Sequence, residues 1–187
     1  KKSRMKIGIT GGIGSGKSYV CDRLKSYGIN VYDCDAAAKN LLATSCQLKT
    51  DMCNLIGNDA YKDGALNKKV VTEFLLASED NAQKIDNIVH PTVARDFITS
   101  GLQWMECAIM FESGFDRLVD KIICVTSPEN VRVDRIMKRD GISREKALQW
   151  MGRQWSQDKI LSKSDFEIVN DGKTNIDIQI KNILNII

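Results

Sequence analysis

Gly11-Gly12-Ile13-Gly14-Ser15-Gly16-Lys17-Ser18 is the segment whose residue types and spacing carry chemistry. It fits the pattern Gly-x-x-x-x-Gly-Lys-Ser, in which a backbone loop cradles phosphates. Glycines let the chain bend so that successive N–H groups converge on one anion. A helix starting directly behind adds the positive end of its dipole. Lys17 can reach the outer phosphates and the Ser18 hydroxyl can ligate Mg²⁺. The nucleotide contacts are expected from Gly12 through Tyr19. A flexible glycine turn is the plain alternative, but the pattern stands between a strand candidate and a helix candidate, as a phosphate loop must.

Three further groups belong to the same chemistry. Asp33-Cys34-Asp35 follows the second strand candidate. In a parallel sheet the C-terminal strand ends open on one edge, so Asp33 is expected to face the γ-phosphate of ATP. A carboxylate there can accept the proton of an acceptor hydroxyl and orient it in line. Asp33 and Asp35 can also simply cap the following helix. For Asp35, which suits the N-cap position, capping and substrate contact stay open. Arg132, Arg135 and Arg139 lie at spacings of three and four and share one helix face, with Arg144 and Arg153 beyond. The stripe reads as a solvated surface or as a mobile lid hinged at Asp140-Gly141 that neutralises developing phosphate charge, and the loop upstream favours the lid. Glu112, closing an apolar run, can meet Mg²⁺ through water or bind substrate, while His90, the sole histidine, reads by itself as structural.

The elements that must position these groups alternate. Residues 5–10 are a strand candidate, 17–26 a helix ended by Gly28, and 29–32 a second strand. Residues 36–42 are strongly helical. From about 46 to 104 only helical stripes appear: Leu48, Met52, Leu55, Ile56; Val70, Val71, Phe74, Leu75; Ile85, Ile88, Val89, ending before Pro91; and Val93, Phe97, Ile98. Cys107–Phe111 and 122–125 are continuous apolar runs suited to strands buried on both faces. Ser127-Pro128 announces a helix through about Arg139, with Ser127 at its N-cap. Residues 143–155 are helical again, 166–169 make the last strand, and a C-terminal helix follows Asp171-Gly172. Five short strands interleaved with helices predict an α/β, three-layer fold with a five-stranded parallel sheet, interrupted by a helical insertion over about 36–104.

The chain has 187 residues, 43% hydrophobic and 27% charged, with a formal net charge of +3. That is one globular unit by length and excludes disordered, collagen-like and coiled-coil chains. Six cysteines without a Cys-x-x-Cys pair read as reduced thiols rather than a zinc or redox site. No apolar stretch reaches membrane-span length, and Lys1-Lys2-Ser3-Arg4 lacks a signal-peptide core, so a cytoplasmic protein without a membrane partner is expected. Met5 is a candidate start, and the origin of residues 1–4 stays open. The small net charge and the lack of an aromatic platform argue against a nucleic-acid partner. Asn-Lys-x-Asp and Asp-x-x-Gly, the marks of a guanine-nucleotide switch, do not occur.

The ordered set of motifs resembles the dephospho-CoA kinases. The matching pieces are residues 10–18, Asp33-x-Asp35, Asp63-Gly64-x-Leu66, His90-Pro91, Phe111-Glu112, Arg132, Arg135, Arg139, Arg153-Gln154 and Asp165–Gly172. The resemblance implies transfer of the ATP γ-phosphate to the ribose 3′-hydroxyl of dephospho-CoA, with Asp33 as base. It implies Lys17 and Arg139 as phosphate stabilisers, Mg²⁺ on Ser18, and substrate contacts from Asp33, Asp35, His90 and Glu112. It makes the helical interval the acceptor-binding region and residues near 139–153 the lid; separately from the resemblance, a monomer or weak homo-oligomer is expected. The sequence departs from the family pattern at Tyr19, where Thr is usual, at Cys34 within the usual Asp-Ala-Asp, and at Ala108-Ile109-Met110 for Pro-Leu-Leu. None of these removes a proposed catalytic group. The other readings are another metabolite kinase of the same fold, shikimate-like or acting on nucleoside monophosphates, and a non-catalytic ATP-binding module.

Overall fold

The structure is a computed structural model that describes residues 5–187; residues 1–4, and the question of their origin, lie outside the described residues. In chain order the elements are β1 (Ile7–Thr10), α1 (Lys17–Lys25), β2 (Val31–Asp33), α2 (Cys34–Thr44), α3 (Cys46–Ile56), β3 (Tyr61–Lys62), β4 (Ala65–Leu66), α4 (Lys68–Ala77), α5 (Asn81–Ser100), β5 (Trp104–Glu106), β6 (Lys121–Thr126), α6 (Glu129–Asp140), α7 (Arg144–Gly152), α8 (Gln157–Ser162), β7 (Phe166–Val169) and α9 (Ile176–Leu184). They form two compact units, one running to Tyr32 and again from Leu102 to Ile187, the other Asp33–Gly101.

The first unit is built on a five-stranded sheet of order β2-β5-β1-β6-β7. β1 lies parallel to β5 and β6, and β6 parallel to β7, with Ile9 opposite Glu106 and Ile123. Parallel pairing brings the C-terminal ends of β5, β1, β6 and β7 to one edge. All four residues of β1 are buried, as a central strand covered on both faces requires. Alternate side chains divide between the faces. Ile7, Ile9, Trp104, Ile123, Val125 and Ile168 pack with Val20 and Leu24 of α1 and Ile176, Ile180 and Ile183 of α9. On the opposite face Gly8 leaves room that the Met110 methyl and Val119 occupy, for a Cβ there would stand 2.8 Å from Met110 Cε.

Met110 explains the main departure from the expected strands. The apolar run Cys107–Phe111 is not a strand: β5 ends at Glu106, and the run turns back across the sheet, with the Ser113 N–H donating to the Ile109 carbonyl. Its side chains are apolar because they cover Gly8, not because they lie in the ladder. Glu112 therefore sits exposed in a turn and does not close a strand. The ladder's final carboxylate is Glu106.

The second unit is helical around Leu48, Met52, Val93 and Phe97. It contains a two-stranded antiparallel hairpin, β3–β4, where only helix was expected. Its turn residues Asp63 and Gly64 both have left-handed backbones, φ 52 and 81, as a primed hairpin turn demands. Two-residue strands leave almost no alternation to detect. The stripes before and after Pro91 are one helix, α5, with Pro91 inside it. Val89, Val93 and Phe97, four residues apart and buried, hold a single face across the proline.

Smaller corrections have local causes. Ser127 does not cap α6; its N–H donates to Gln157 Oε1 and its hydroxyl to the Asn170 carbonyl, so the cap position falls to Pro128. The predicted helix 143–155 ends at Gly152, and α8 follows as a separate element capped by Ser156. None of the six cysteines is in a disulfide, and burial pushes the Cys124 thiol up to about 12, which makes it inert. Among the described residues no helix is long and apolar enough to cross a membrane.

Candidate functional site

The loop between β1 and α1 is shaped by glycine and by bonds to its carbonyls. Gly14 and Gly16 have φ of 80 and 86, which other residues adopt only with strain. A Cβ on Gly12 would collide with the Arg132 guanidinium, and one on Gly16 with the Asn170 side-chain amide. Each carbonyl from Gly11 to Gly16 accepts a hydrogen bond. Lys17 Nζ donates to Gly11 O at 2.9 Å, Ser15 N to Gly12 O at 3.1 Å and Arg132 Nε to Ile13 O at 3.0 Å. Arg135 Nη1 donates to Gly14 O and Ser15 O, each at 3.3 Å, Asn170 Nδ2 to Ser15 O at 3.0 Å, and Tyr19 N to Gly16 O at 3.1 Å. In a trans peptide the N–H points opposite to the C=O. Tying the Ile13 and Ser15 carbonyls to side chains outside the loop thus turns the Gly14 and Gly16 N–H groups toward its inside, a cradle for an anion, while the Ile13 N–H points the other way, to Gln154 Oε1.

The donors explain the arginine stripe. Arg132 and Arg135 do not form a solvated face: Arg132 is 6% exposed, and Arg135, partly buried, also donates to Ser127 Oγ and to the Asn170 carbonyl. Burial lowers the Arg132 pKa. Their helix face is turned under the phosphate loop because β6, β1 and β7 end side by side. Arg139, one turn further on, is 60% exposed and pairs with Asp140 at 2.7 Å. Gly141, with φ 63, ends α6 there.

Lys17 is buried to 12% exposure and lies 3.8 Å from Glu106 Oε1. Burial pushes its ammonium below the ordinary lysine value, and the charges of Glu106, Cys107 and Cys21 pull the other way. Glu106 is the site residue missed in the sequence. Its signal was present, a carboxylate at the C-terminal end of a strand beside the loop, but the apolar residues behind it drew the strand too far on.

The remaining candidates lie as follows. Ser18 and Tyr19 are exposed at the start of α1. Asp33 ends β2 and is the N-cap of α2, its Oδ1 accepting from Ala36 N at 2.9 Å. The capping position assigned to Asp35 thus belongs to Asp33, because the helix begins two residues earlier than expected. Asp35 lies in the first turn, 87% exposed and 3.4 Å from Lys39. A cap uses one carboxylate oxygen, so Asp33 Oδ2 keeps acceptor capacity. His90 Nε2 is 3.6 Å from Asp86 Oδ1 on α5.

A Mg²⁺ ion can be tested against these groups. Ser18 is exposed beside the loop and offers one hydroxyl oxygen. That suits an ion that keeps its waters and takes most of its oxygens from phosphates.

The family model of dephospho-CoA kinase, CoaE, matches residues 5–175. The chain belongs to the dephospho-CoA kinase family. A dephospho-CoA kinase of Bacteroides fragilis is 37% identical over 96% of this chain and 91% of its own length. One from Porphyromonas gingivalis is 40% identical over 88% and 85%. Among solved structures, the TT1252 protein of Thermus thermophilus superposes with a TM-score of 0.84 at 27% identity, over 100% of this chain and 99% of that one.

Proposed function

We propose that the protein transfers the γ-phosphate of ATP to the ribose 3′-hydroxyl of dephospho-CoA. The observation that carries the reading is the anchoring of the Ile13, Gly14 and Ser15 carbonyls by Arg132, Arg135 and Asn170, within a chain of this family. Phosphoryl transfer needs little covalent help and depends on placement and charge. Within the loop from Gly12 to Tyr19, the amides of Gly14, Gly16, Lys17 and Ser18 hold the phosphates, while those of Ile13, Ser15 and Tyr19 are held by Gln154 Oε1, Gly12 O and Gly16 O. Lys17 swings from Gly11 O and Glu106 to the outer phosphate oxygens, where its charge meets the developing negative charge. Arg139, free to leave an exposed pairing with Asp140, adds a second charge from the last turn of α6. Ser18 Oγ would hold Mg²⁺, which would neutralise charge on the phosphate oxygens. Asp33 receives the hydroxyl proton. In a loose transition state the proton leaves late, so an ordinary carboxylate suffices. The unit Asp33–Gly101, with Asp35 and His90, and the exposed Glu112 provide acceptor contacts.

The test is ADP formation with ATP and magnesium, with and without dephospho-CoA, in the wild type and Asp33→Asn. Asparagine caps a helix as well as aspartate does, so the fold and ATP affinity stay intact while turnover falls by at least about a thousandfold. Near-normal transfer in the variant dismisses Asp33 as base. Turnover of shikimate or a nucleoside monophosphate in place of dephospho-CoA reassigns the acceptor.

A further inference from the structure

Ile13 is the one loop residue held by every group it has. Its carbonyl accepts from Arg132 Nε at 3.0 Å. Its side chain packs on the cluster of Val133, Ile136 and Ala147, with Met137, Ile142, Trp150 and Met151 around it. Its N–H donates to Gln154 Oε1 at 2.8 Å, across 141 positions of sequence. All these partners come from α6, α7 and the elbow that follows α7.

The elbow is itself fixed. Trp155 stacks on Phe111 with ring centroids 5.9 Å apart and planes at 3°, and Lys159 Nζ lies 3.4 Å from the Trp155 ring centroid. Gln157 Oε1 accepts from Ser127 N at 3.0 Å. Three of four consecutive residues thus reach three different segments: the phosphate loop, the turn after β5 and the start of α6. Of these contacts, Gln154 alone touches the loop backbone.

We infer that Gln154 is a positioning residue for phosphate binding: its side-chain oxygen fixes the orientation of the Ile13 peptide and so ties the phosphate loop to the α6–α7 arm. The peptide plane between Gly12 and Ile13 carries Gly12 O on its other edge, which accepts from Ser15 N inside the loop. Without an acceptor for the Ile13 N–H, that plane is free to rotate. Rotation breaks the Gly12–Ser15 bond and misdirects the amides that follow. The oxygen on Gln154 is what matters, because the Ile13 amide is a donor. The inference rests on reading residues 11–18 as an ATP cradle.

The test compares Gln154→Met, which keeps length and loses the oxygen, with Gln154→Glu, which keeps it. ATP affinity is measured by calorimetry with magnesium and without acceptor, beside thermal stability and the KM for each substrate. Gln154→Met is expected to weaken ATP binding about tenfold, the size of effect that one unsatisfied half-buried amide produces, and to raise KM for ATP while leaving KM for dephospho-CoA unchanged. Gln154→Glu is expected to stay within about threefold of wild type. ATP affinity of Gln154→Met within twofold of wild type overturns the inference, as do equal losses in both variants or a drop in melting temperature with KM for ATP unmoved. Should Gln154→Met fail to fold, Gln154→Asn, which withdraws the oxygen by one methylene, must show the same deficit in ATP affinity. Acceptor plays no part in the binding measurement. A wild type that binds ATP yet forms no ADP with dephospho-CoA therefore fails the proposed function and leaves this inference standing.

Discussion

Gly12 and Arg132 share a space that holds only one of two things, a Cβ or a guanidinium. A methyl group on Gly12 would strike Arg132 Nη2 and stand 3.0 Å from Cζ. Arg132 is 6% exposed, so its head has little room to retreat without leaving Ile13 O. A hydrogen bond from a charged donor contributes about 1.5–3 kcal/mol, so Gly12→Ala is expected to destabilise by about 2 kcal/mol. At about 2–4 °C per kcal/mol for a chain of this size, the melting temperature falls by about 4–8 °C. Arg132→Ala removes the same bond and leaves the Ile13 carbonyl without it, at a similar cost. The double variant has no guanidinium for the methyl to strike. Its loss should be about 2–3 kcal/mol rather than the sum of about 4, an interaction energy of at least about 1 kcal/mol. Urea unfolding of the four proteins measures this directly. Additivity within about 0.5 kcal/mol refutes the steric argument, and with it the account of why glycine stands at that point of the loop.

Other expectations follow from single contacts. Arg139→Ala should lower kcat by at least about tenfold with little change in melting temperature, because its pairing with Asp140 is exposed; steady-state kinetics beside a thermal melt separates the two. Asp177 is held below the usual carboxylate range first by the hydrogen bonds from Arg23, one of 2.6 Å, and also by the Tyr27 hydroxyl. A depressed folded pKa gives stability that is present above the unfolded value of about 3.9 and is lost as pH falls through the folded value. Asp177→Asn should therefore melt lower than wild type at pH 7, and the two should converge in strong acid; a gap that stays constant down the pH series contradicts the linkage. Gly64→Ala meets no neighbour, so only its φ of 81 costs, about 1–2 kcal/mol by chemical denaturation. A neutral result there means the hairpin turn relaxes to another type.

The phosphate loop was legible because its chemistry is local. Eight consecutive residues contain the bend, the lysine and the hydroxyl, and the strand before and helix after are short-range patterns. The parallel sheet was legible for a similar reason: Ile122–Val125 is an uninterrupted apolar run, and Phe166–Val169 an apolar run broken only by Glu167, each bounded by turn residues. Cys107–Phe111 has the same composition and is a turn, since burial against Gly8 selects for apolar side chains whether or not the backbone joins the ladder. Pro91 looked like a helix boundary because the missing N–H is a local fact, whereas the packing of Val89, Val93 and Phe97 that carries α5 across it is not.

Sequence alone determined which residues could bind phosphate, since that capacity resides in adjacent amides and one lysine. Tertiary structure alone decided what holds them in shape. Arg132, Arg135, Gln154 and Asn170 lie more than a hundred residues from the loop, and a stripe of arginines has the same spacing whether it faces water or carbonyl oxygens. Only the side-by-side ends of β1, β6 and β7 turn that stripe under the glycines, because a hydrogen bond depends on distance in space and periodicity reports only distance along the chain.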